Sequence, residues 1–237
     1  QIDTVVTNTA TATVHFQDLG IINGFARGAV RHGGGIHTEG PLTLTRCRVA
    51  TNTAYRGGGI FTSSTLTLID TVVARNQSDS DGGIYAVSWR ASVTLQGASR
   101  VEHNQATNVG GAGGGVGAEN DATVTLQDRS VVRLNEAPRG GGIYLDAGCV
   151  ANLHDDSRVE TNTATGEGGG VIMYGAQLAL HDRSRITGNR ALGGPDSGGG
   201  IFADGSSTVD LPAAAMVTGN TPDQCQPSIV TGSGTCE

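Results

Sequence analysis

Hydrophobic and polar positions recur along this chain in blocks, and each block carries three landmarks in a fixed order. The first is a glycine run followed by an aliphatic residue, ending at Ile36, Ile60, Ile84, Val116, Ile143, Val171 and Ile201. The second is a short alternating tripeptide, which begins at Leu42, Leu66, Val93, Val124, Leu178 and Val209. The third is an asparagine three positions after an aliphatic residue, at Asn52, Asn76, Asn104, Asn135, Asn162, Asn189 and Asn220. Self-similarity of this kind indicates a solenoid.

Each block predicts three short β-strands separated by turns. Apolar residues alternate with polar residues, and Gly, Asn, Asp and Ser separate the alternating stretches. Glycine runs at intervals of about 27 residues would break a helix. Three short strands cannot bury their inner face alone, so we expect equivalent strands of successive blocks to pair around one core. The pattern predicts an all-β parallel β-helix of about eight coils over residues 1–220, with residues 1–32 as the first coil.

Alignment of the blocks predicts two inner columns. The asparagines form one column, which we expect to build a ladder of stacked amides. The residues five positions before each asparagine form the other, and they are small and mostly hydroxylated: Cys47, Thr71, Ser99, Ser130, Ser157, Ser184 and Ala215. Side chains of this size are typical of a narrow interior.

Two outward columns supply the candidate binding residues. The residue after the glycine tag gives Phe61, Tyr85, Tyr144 and Phe202, whose rings could stack on sugars or dock a partner. The residue four positions before the asparagine gives Arg48, Arg100, Arg158 and Arg185, whose forked guanidinium groups suit an acidic glycan. Each column also has a structural interpretation. The rings could shield strand backbone, and the arginines could pair with Glu102 and Glu160.

Composition narrows the classes of partner. The chain has 237 residues, 38 of them Gly, and a net charge of −7, and its 15 basic residues are all Arg. Without a basic run, binding to nucleic acid through phosphate neutralisation is not expected. No apolar stretch is long enough to cross a membrane as a helix. The partner classes that remain are a glycan and a protein.

Few residues suggest catalysis or metal binding. His154 and His181 each begin a His-Asp-x-Ser-Arg segment, and this repetition favours a turn structure, since two imidazoles alone do not make a metal site. The segment 79–82 is a fragment of a calcium loop without the remaining ligands. We predict no catalytic residue, no metal site and no cofactor, and calcium has only weak support.

Four cysteines bear on the compartment. Cys225 and Cys236 flank a tail outside the repeat, and we predict that a disulfide between them closes a C-terminal cap over residues 221–237. Such a bond requires an oxidising compartment. Cys47 falls in the inner column, and Cys149 lies in a turn without an obvious partner.

The glycine tag, read as Gly-Gly-Gly-Ile, and the tag Val-x-x-Asn, as in residues 159–162, resemble the repeats of right-handed parallel β-helix proteins. Most similar are the polymorphic outer-membrane protein repeats of bacterial autotransporter passengers. The resemblance covers roughly residues 13–220, although Val or Ile replaces the Phe of the second tag. It implies a right-handed β-helix and an exported protein, extracellular or on the outer-membrane surface of a bacterium, and it implies no reaction.

We therefore expect an adhesion, binding or display scaffold without catalytic chemistry, whose partner is a cell-surface glycan or protein. The first alternative is a carbohydrate-active enzyme of the β-helix polysaccharide lyase or hydrolase type. The second is an ice-binding solenoid, which the stacked Thr-x-Thr segments at Thr65, Ser92 and Thr123 suggest. Fold alone does not decide among these functions.

Overall fold

The computed structural model describes residues 4–26, 31–225, 230–231 and 236, and over these residues the chain forms strands and turns with no helix. Each coil contributes one strand to each of several parallel sheets, and equivalent strands of successive coils are hydrogen-bonded neighbours. The predicted all-β parallel solenoid of about eight coils is confirmed. Within the described residues, nothing helical has the length and apolar character needed to span a bilayer.

Sheets A and B follow the glycine tag in each coil. Sheet A contains eight strands: Val6–Asn8, Ile36–Thr38, Ile60–Thr62, Ile84–Val87, Val116–Glu119, Ile143–Leu145, Val171–Met173 and Ile201–Ala203. Sheet B contains nine: Val14–Gln17, Leu42–Thr45, Thr65–Ile69, Ser92–Gln96, Thr123–Leu126, Val150–Leu153, Gln177–Leu180, Thr208–Asp210 and Val230–Thr231.

Sheets C and D complete the coil. Sheet C contains eight strands: Gly20–Ile22, Arg48–Ala50, Val72–Ala74, Arg100–Glu102, Val131–Arg133, Arg158–Glu160, Arg185–Thr187 and Met216–Thr218. Sheet D contains six: Thr53–Arg56, Gln77–Ser80, Gln105–Ala106, Glu136–Ala137, Thr163–Ala164 and Arg190–Ala191.

Sheet D corrects the prediction of three strands per coil. After the asparagine, the chain stays extended for two to four residues before the next glycine tag, and these segments pair in register. Their inward residues are small, as with Ala54, Ser78 and Ala106, which are all buried. Two-residue strands do not complete a hydrophobic alternation, so the sequence pattern does not reveal them.

The core is a single cluster of buried aliphatic side chains that runs the length of the solenoid. Each coil contributes the aliphatic residue of its glycine tag, two residues from sheet B and one from sheet C. In the third coil these are Ile60, Leu66, Leu68 and Val73, and each is fully buried. Neighbouring coils place the same kind of residue at the same position, so the core has no break between coils.

The predicted asparagine ladder is confirmed. Each buried asparagine donates from Nδ2 to Oδ1 of the next coil's asparagine at 2.9–3.0 Å, from Asn52 through Asn189. The same Oδ1 accepts the backbone N–H of the preceding asparagine, as Asn76 Oδ1 does from Asn52 at 3.0 Å. At the last coil, the Gln224 side chain accepts from Asn220 and takes the place of a further asparagine. The ladder thereby satisfies buried polar groups at one corner of every coil.

The small-residue column is also buried as predicted, from Cys47 to Ala215. Part of it forms a second ladder, since Thr71 Oγ1 accepts from the Cys47 N–H and Ser99 Oγ accepts from the Thr71 N–H, each at 3.1 Å. Cys47 and Cys149 are both buried free thiols. Burial raises the pKa of the Cys149 thiol to about 11, so this thiol stays protonated at neutral pH.

The tail continues the stack of coils. Val230–Thr231 pairs in parallel with Thr208–Asp210 in sheet B. Cys225 and Cys236 form the predicted disulfide, with their Cα atoms 5.9 Å apart. Residues 226–229, 232–235 and 237 of the predicted cap lie outside the described residues, as do residues 1–3 and 27–30 of the predicted first coil.

Candidate functional site

The aromatic column does not form an open ladder on the outer side of sheet A. Phe61 and Tyr85 retain only 8% and 5% of their surface exposure, and their ring centroids lie 5.7 Å apart. His37 stacks on Phe61 at 4.5 Å, and His32 stacks on the same ring at 5.3 Å. These two rings therefore offer little surface to a ligand, because His37 of the same column stacks on Phe61 and His32 from the preceding corner packs beside both rings.

The C-terminal half of the column is more accessible. Tyr144 and Phe202 are half-buried, and between them Ile172 is fully buried. The Tyr174 ring packs beside both, with centroids 6.2 Å from Tyr144 and 6.3 Å from Phe202. Burial raises the pKa of Tyr144 to about 12. Tyr144 and Phe202 stay candidate contact residues, each with only part of its ring open to solvent.

The arginine column lies on the solvent side of sheet C. Register places Arg48, Val72, Arg100 and Val131 in one row, and Arg158 and Arg185 continue it in the next two coils. All four arginines of this row are exposed. We call this surface, with Arg133 of the adjacent row, the arginine face.

Ion pairs cover only part of the arginine face. Arg133 pairs with Glu102 at 2.8 Å, Arg158 with Glu160 at 3.7 Å, and Arg100 approaches Glu102 at 4.0 Å. Within the part of the chain that the structure describes, no carboxylate lies within 4.0 Å of Arg48 or Arg185. The salt-bridged interpretation therefore holds for the middle of the row and not for the whole of it.

A second cluster of polar side chains, which the repeat pattern does not predict, lies where sheet D meets sheet A. Arg56 Nη1 donates to the Tyr85 hydroxyl at 2.6 Å and to the two Glu119 oxygens at 3.0 and 2.8 Å. Tyr85 in turn donates to Glu119 Oε2 at 2.7 Å. Burial and then the hydrogen bond to Glu119 raise the pKa of Tyr85, so its hydroxyl remains a donor.

Asp81 is the most unusual residue of this cluster. It occupies the position of the first glycine of the tag, and like Gly57 and Gly113 it has a positive φ, here 61°. Its side chain is fully buried, and neither carboxyl oxygen has a hydrogen bond of good geometry, although the neighbouring Ser80 hydroxyl is close enough to lower the pKa of the group. A Cβ atom at Gly117 would overlap this carboxyl group. The carboxyl group therefore occupies space that is free because glycine stands at this position of the outward column, where neighbouring coils have an aromatic residue. Burial raises the pKa of Asp81 to about 8, against the opposing charge of Arg56.

These two departures were the available signal in the sequence. Asp81 interrupts the glycine column and Gly117 interrupts the aromatic column, in adjacent coils. Each interruption, taken alone, indicates only that the repeat is imperfect at that position. Only the fold shows that the carboxyl group of one fills the space left by the other.

The remaining candidates do not form a reactive centre. His154 and His181 stack with ring centroids 4.3 Å apart and planes at 4°. Among the residues that the structure describes, no three His, Cys, Asp or Glu side chains are grouped so as to hold a metal ion. Asp79 and Ser80 belong to a strand of sheet D rather than to a calcium-binding loop.

The predicted threonine array is in register over three coils of sheet B, with Thr65, Ser92 and Thr123 in one row and Thr67, Thr94 and Thr125 in the other. Only the second row continues to the preceding coil, at Thr43. Thr43, Thr67, Thr94 and Thr125 stand in register on four consecutive coils of sheet B. Asn152 follows in the next coil and ends the row. Ice binding by this array stays a prediction.

No protein-family model, curated protein or solved structure matches the chain. The resemblance to polymorphic outer-membrane protein repeats thus rests on the two sequence tags alone, while the parallel solenoid itself is observed.

Proposed function

We propose that this protein is an exported, surface-associated binding module and that its arginine face takes an anionic polymer such as an acidic glycan. The observation that carries the proposal is the charge of that face. Five arginines and two glutamates lie in the strands of sheet C, a net charge of +3 in a chain whose net charge is −7. Charge segregated in this way attracts a partner of opposite sign.

The geometry of the row suits a linear ligand. Neighbouring strands in a sheet are about 4.8 Å apart, so a row of outward side chains presents its groups at regular intervals. Arg158 and Arg185 are in adjacent coils, where two like charges face each other at this spacing. An anion between them would relieve this repulsion, and guanidinium groups bind carboxylate or sulfate oxygens in a bidentate manner.

Two features support export to a cell surface. The Cys225–Cys236 disulfide is of the kind that persists in oxidising compartments. The glycine and Val-x-x-Asn tags resemble those of autotransporter passengers, which suggests a bacterial adhesin. A solenoid whose described residues form no long projecting loop is suited to display a ligand-binding row at a distance from the cell.

The test uses immobilised acidic and neutral polysaccharides, read both for protein retention and for release of new chain ends, with and without calcium. We expect retention on acidic polymers alone, and weaker retention as salt rises, because exposed charges are screened. A variant with Arg100→Gln, Arg158→Gln and Arg185→Gln should bind at least about tenfold more weakly.

The matched control replaces three exposed arginines outside the face: Arg46→Gln, Arg90→Gln and Arg183→Gln. Because this control removes the same charge, an equal loss in both variants would show general electrostatic attraction and contradict a site on sheet C. Release of new chain ends would contradict a binding module without catalytic chemistry and support the alternative of a polysaccharide-cleaving enzyme. Absence of retention on every acidic polymer would contradict an acidic glycan as the ligand.

A further inference from the structure

A cleft opens on the solvent side of sheet D at its first two strands. Register pairs Ala54 with Ser78 and Arg56 with Ser80, so Tyr55 and Asp79 lie side by side between these pairs. Both residues line two adjoining depressions of about 500 and 160 Å³. We call the two together the corner cleft, and its principal side chains are Arg31, Tyr55, Arg56, Asp79, Ser80 and Asn108. The larger depression falls within the usual size of ligand pockets, roughly 300–1,000 Å³.

Tyr55 gives the corner cleft an aromatic wall. Its side chain is 44% exposed, in contrast to the covered rings of Phe61 and Tyr85. The His32 ring lies beside it, with centroids 6.2 Å apart and planes tilted by 51°. A ring held from one side and open on the other is a stacking platform for an apolar ligand face.

The polar groups of the cleft are both donors and acceptors. Arg56 is locked by its hydrogen bonds to Tyr85 and Glu119, and its guanidinium carbon lies 4.9 Å from the Tyr85 ring centroid. Arg56 is therefore already fixed before a ligand arrives, which lowers the entropy cost of binding. Asp79, Ser80 and Asn108 add a carboxylate, a hydroxyl and an amide to the lining.

Charges around the corner cleft cancel. Arg31 and Asp79 in the lining carry opposite charges, and the charge of Arg56 is balanced by Glu119, which pairs with it at 2.8 Å without lining the cleft. Asp81, which interacts with Arg56 and Glu119, has a pKa that burial raises to about 8, so it is mostly protonated at neutral pH. A balanced lining gives no preference for an anion or a cation, so the chemistry favours a neutral ligand that offers hydroxyl groups and an apolar face.

This corner is also where the repeat is broken. Stacking of coils requires neither the aspartate in place of a tag glycine nor the glycine in place of an outward aromatic, and both occur here. A fully buried carboxyl group without a hydrogen bond of good geometry destabilises a fold, and such groups concentrate at functional sites.

We propose that the corner cleft binds a neutral oligosaccharide, with Tyr55 stacking on a sugar ring and Asp79, Asn108 and Arg56 hydrogen-bonding its hydroxyls. This site is on a different face from the arginine row and takes an uncharged ligand. The two proposals therefore stand or fall separately.

The experiment is saturation-transfer NMR of the full chain with five neutral hexasaccharides, namely cello-, malto-, xylo- and mannohexaose and fully N-acetylated chitohexaose. We expect at least one to bind. Tyr55→Ala should weaken binding by about tenfold through loss of stacking, whereas Tyr55→Phe should retain it. Asp79→Asn should also weaken binding, because it removes a charged acceptor.

Trp89→Ala is the matched control, since Trp89 is 69% exposed and lies outside the cleft. It should leave binding unchanged. The proposal is overturned if none of the five hexasaccharides binds, if Tyr55→Ala binds as tightly as the native chain, or if only Trp89→Ala abolishes binding. Far-UV circular dichroism confirms that each variant is folded. If Tyr55→Ala is still retained on acidic polymers, its loss of oligosaccharide binding concerns the corner cleft and not the arginine face.

Discussion

Asp81 makes a quantitative prediction about stability and pH. Its carboxyl group is fully buried without a hydrogen bond of good geometry, and burial raises its pKa to about 8. The charge of Arg56 and the Ser80 hydroxyl oppose this shift, and the charge of Glu119 adds to it. The substitution Asp81→Asn keeps the size of the side chain and removes its titration.

The magnitude follows from linkage between protonation and folding. An unfolded aspartate has a pKa of about 3.9, so between that pH and about 8 the folded chain holds a proton that the unfolded chain has lost. The raised pKa means that stability is greatest below about pH 4 and is lost as pH rises toward the folded value, by about 1.4 kcal/mol for each pH unit. Between pH 5 and pH 8 the free energy of unfolding should fall by about 4 kcal/mol from this group alone.

The assay is guanidinium-induced unfolding followed by circular dichroism at pH 5, 6.5 and 8. The native chain should lose about 4 kcal/mol more across this range than Asp81→Asn does. Other titrating groups, among them His32, whose pKa burial lowers, are present in both proteins, and the comparison cancels them. Asp79→Asn is the matched control, because Asp79 is exposed two residues away and should follow the native curve. Parallel curves for the native chain and Asp81→Asn would refute the reasoning.

Three further predictions concern packing, the amide ladder and the tail. Gly117→Ala should destabilise the native chain by about 1–3 kcal/mol and the Asp81→Gly variant much less, and a double-mutant cycle measures the coupling. Asn104→Ala should cost about 4 kcal/mol, because it leaves two buried N–H donors of Asn76, one from the backbone and one from the side chain, without an acceptor; denaturant titration checks this. The double substitution Cys225→Ser and Cys236→Ser, which leaves no free thiol in the tail, should lower the free energy of unfolding by about 2–3 kcal/mol, because the disulfide closes an 11-residue separation. In thermal unfolding, the reduced native chain should have the same midpoint as this variant.

Particular residues explain how far the sequence could predict the site. Arg48, Arg100, Arg158 and Arg185 could be placed in one exposed row, because a period of two within strands and a common register between coils fix which way each points. The same alternation assigns Phe61 and Tyr85 to the outer side of the strand, but it does not decide whether their rings are open to a ligand or covered. The same periodicity carries no information about the corner side chains, such as Arg56 and His32, that cover them.

The sequence by itself determined the solenoid, the buried aliphatic columns, the asparagine ladder and the disulfide. The first three features repeat at fixed positions in the coils, so one local pattern specifies each of them many times. The disulfide occurs once, and the two cysteines that flank the tail outside the repeat predict it. Only the tertiary structure decided the fourth sheet, the covering of the aromatic column and the pairing of Asp81 with Gly117. These features arise at corners whose length changes from coil to coil, as between Ile36–Ile60 and Ile84–Val116, and contacts between non-equivalent residues of different coils leave no periodic trace in the chain.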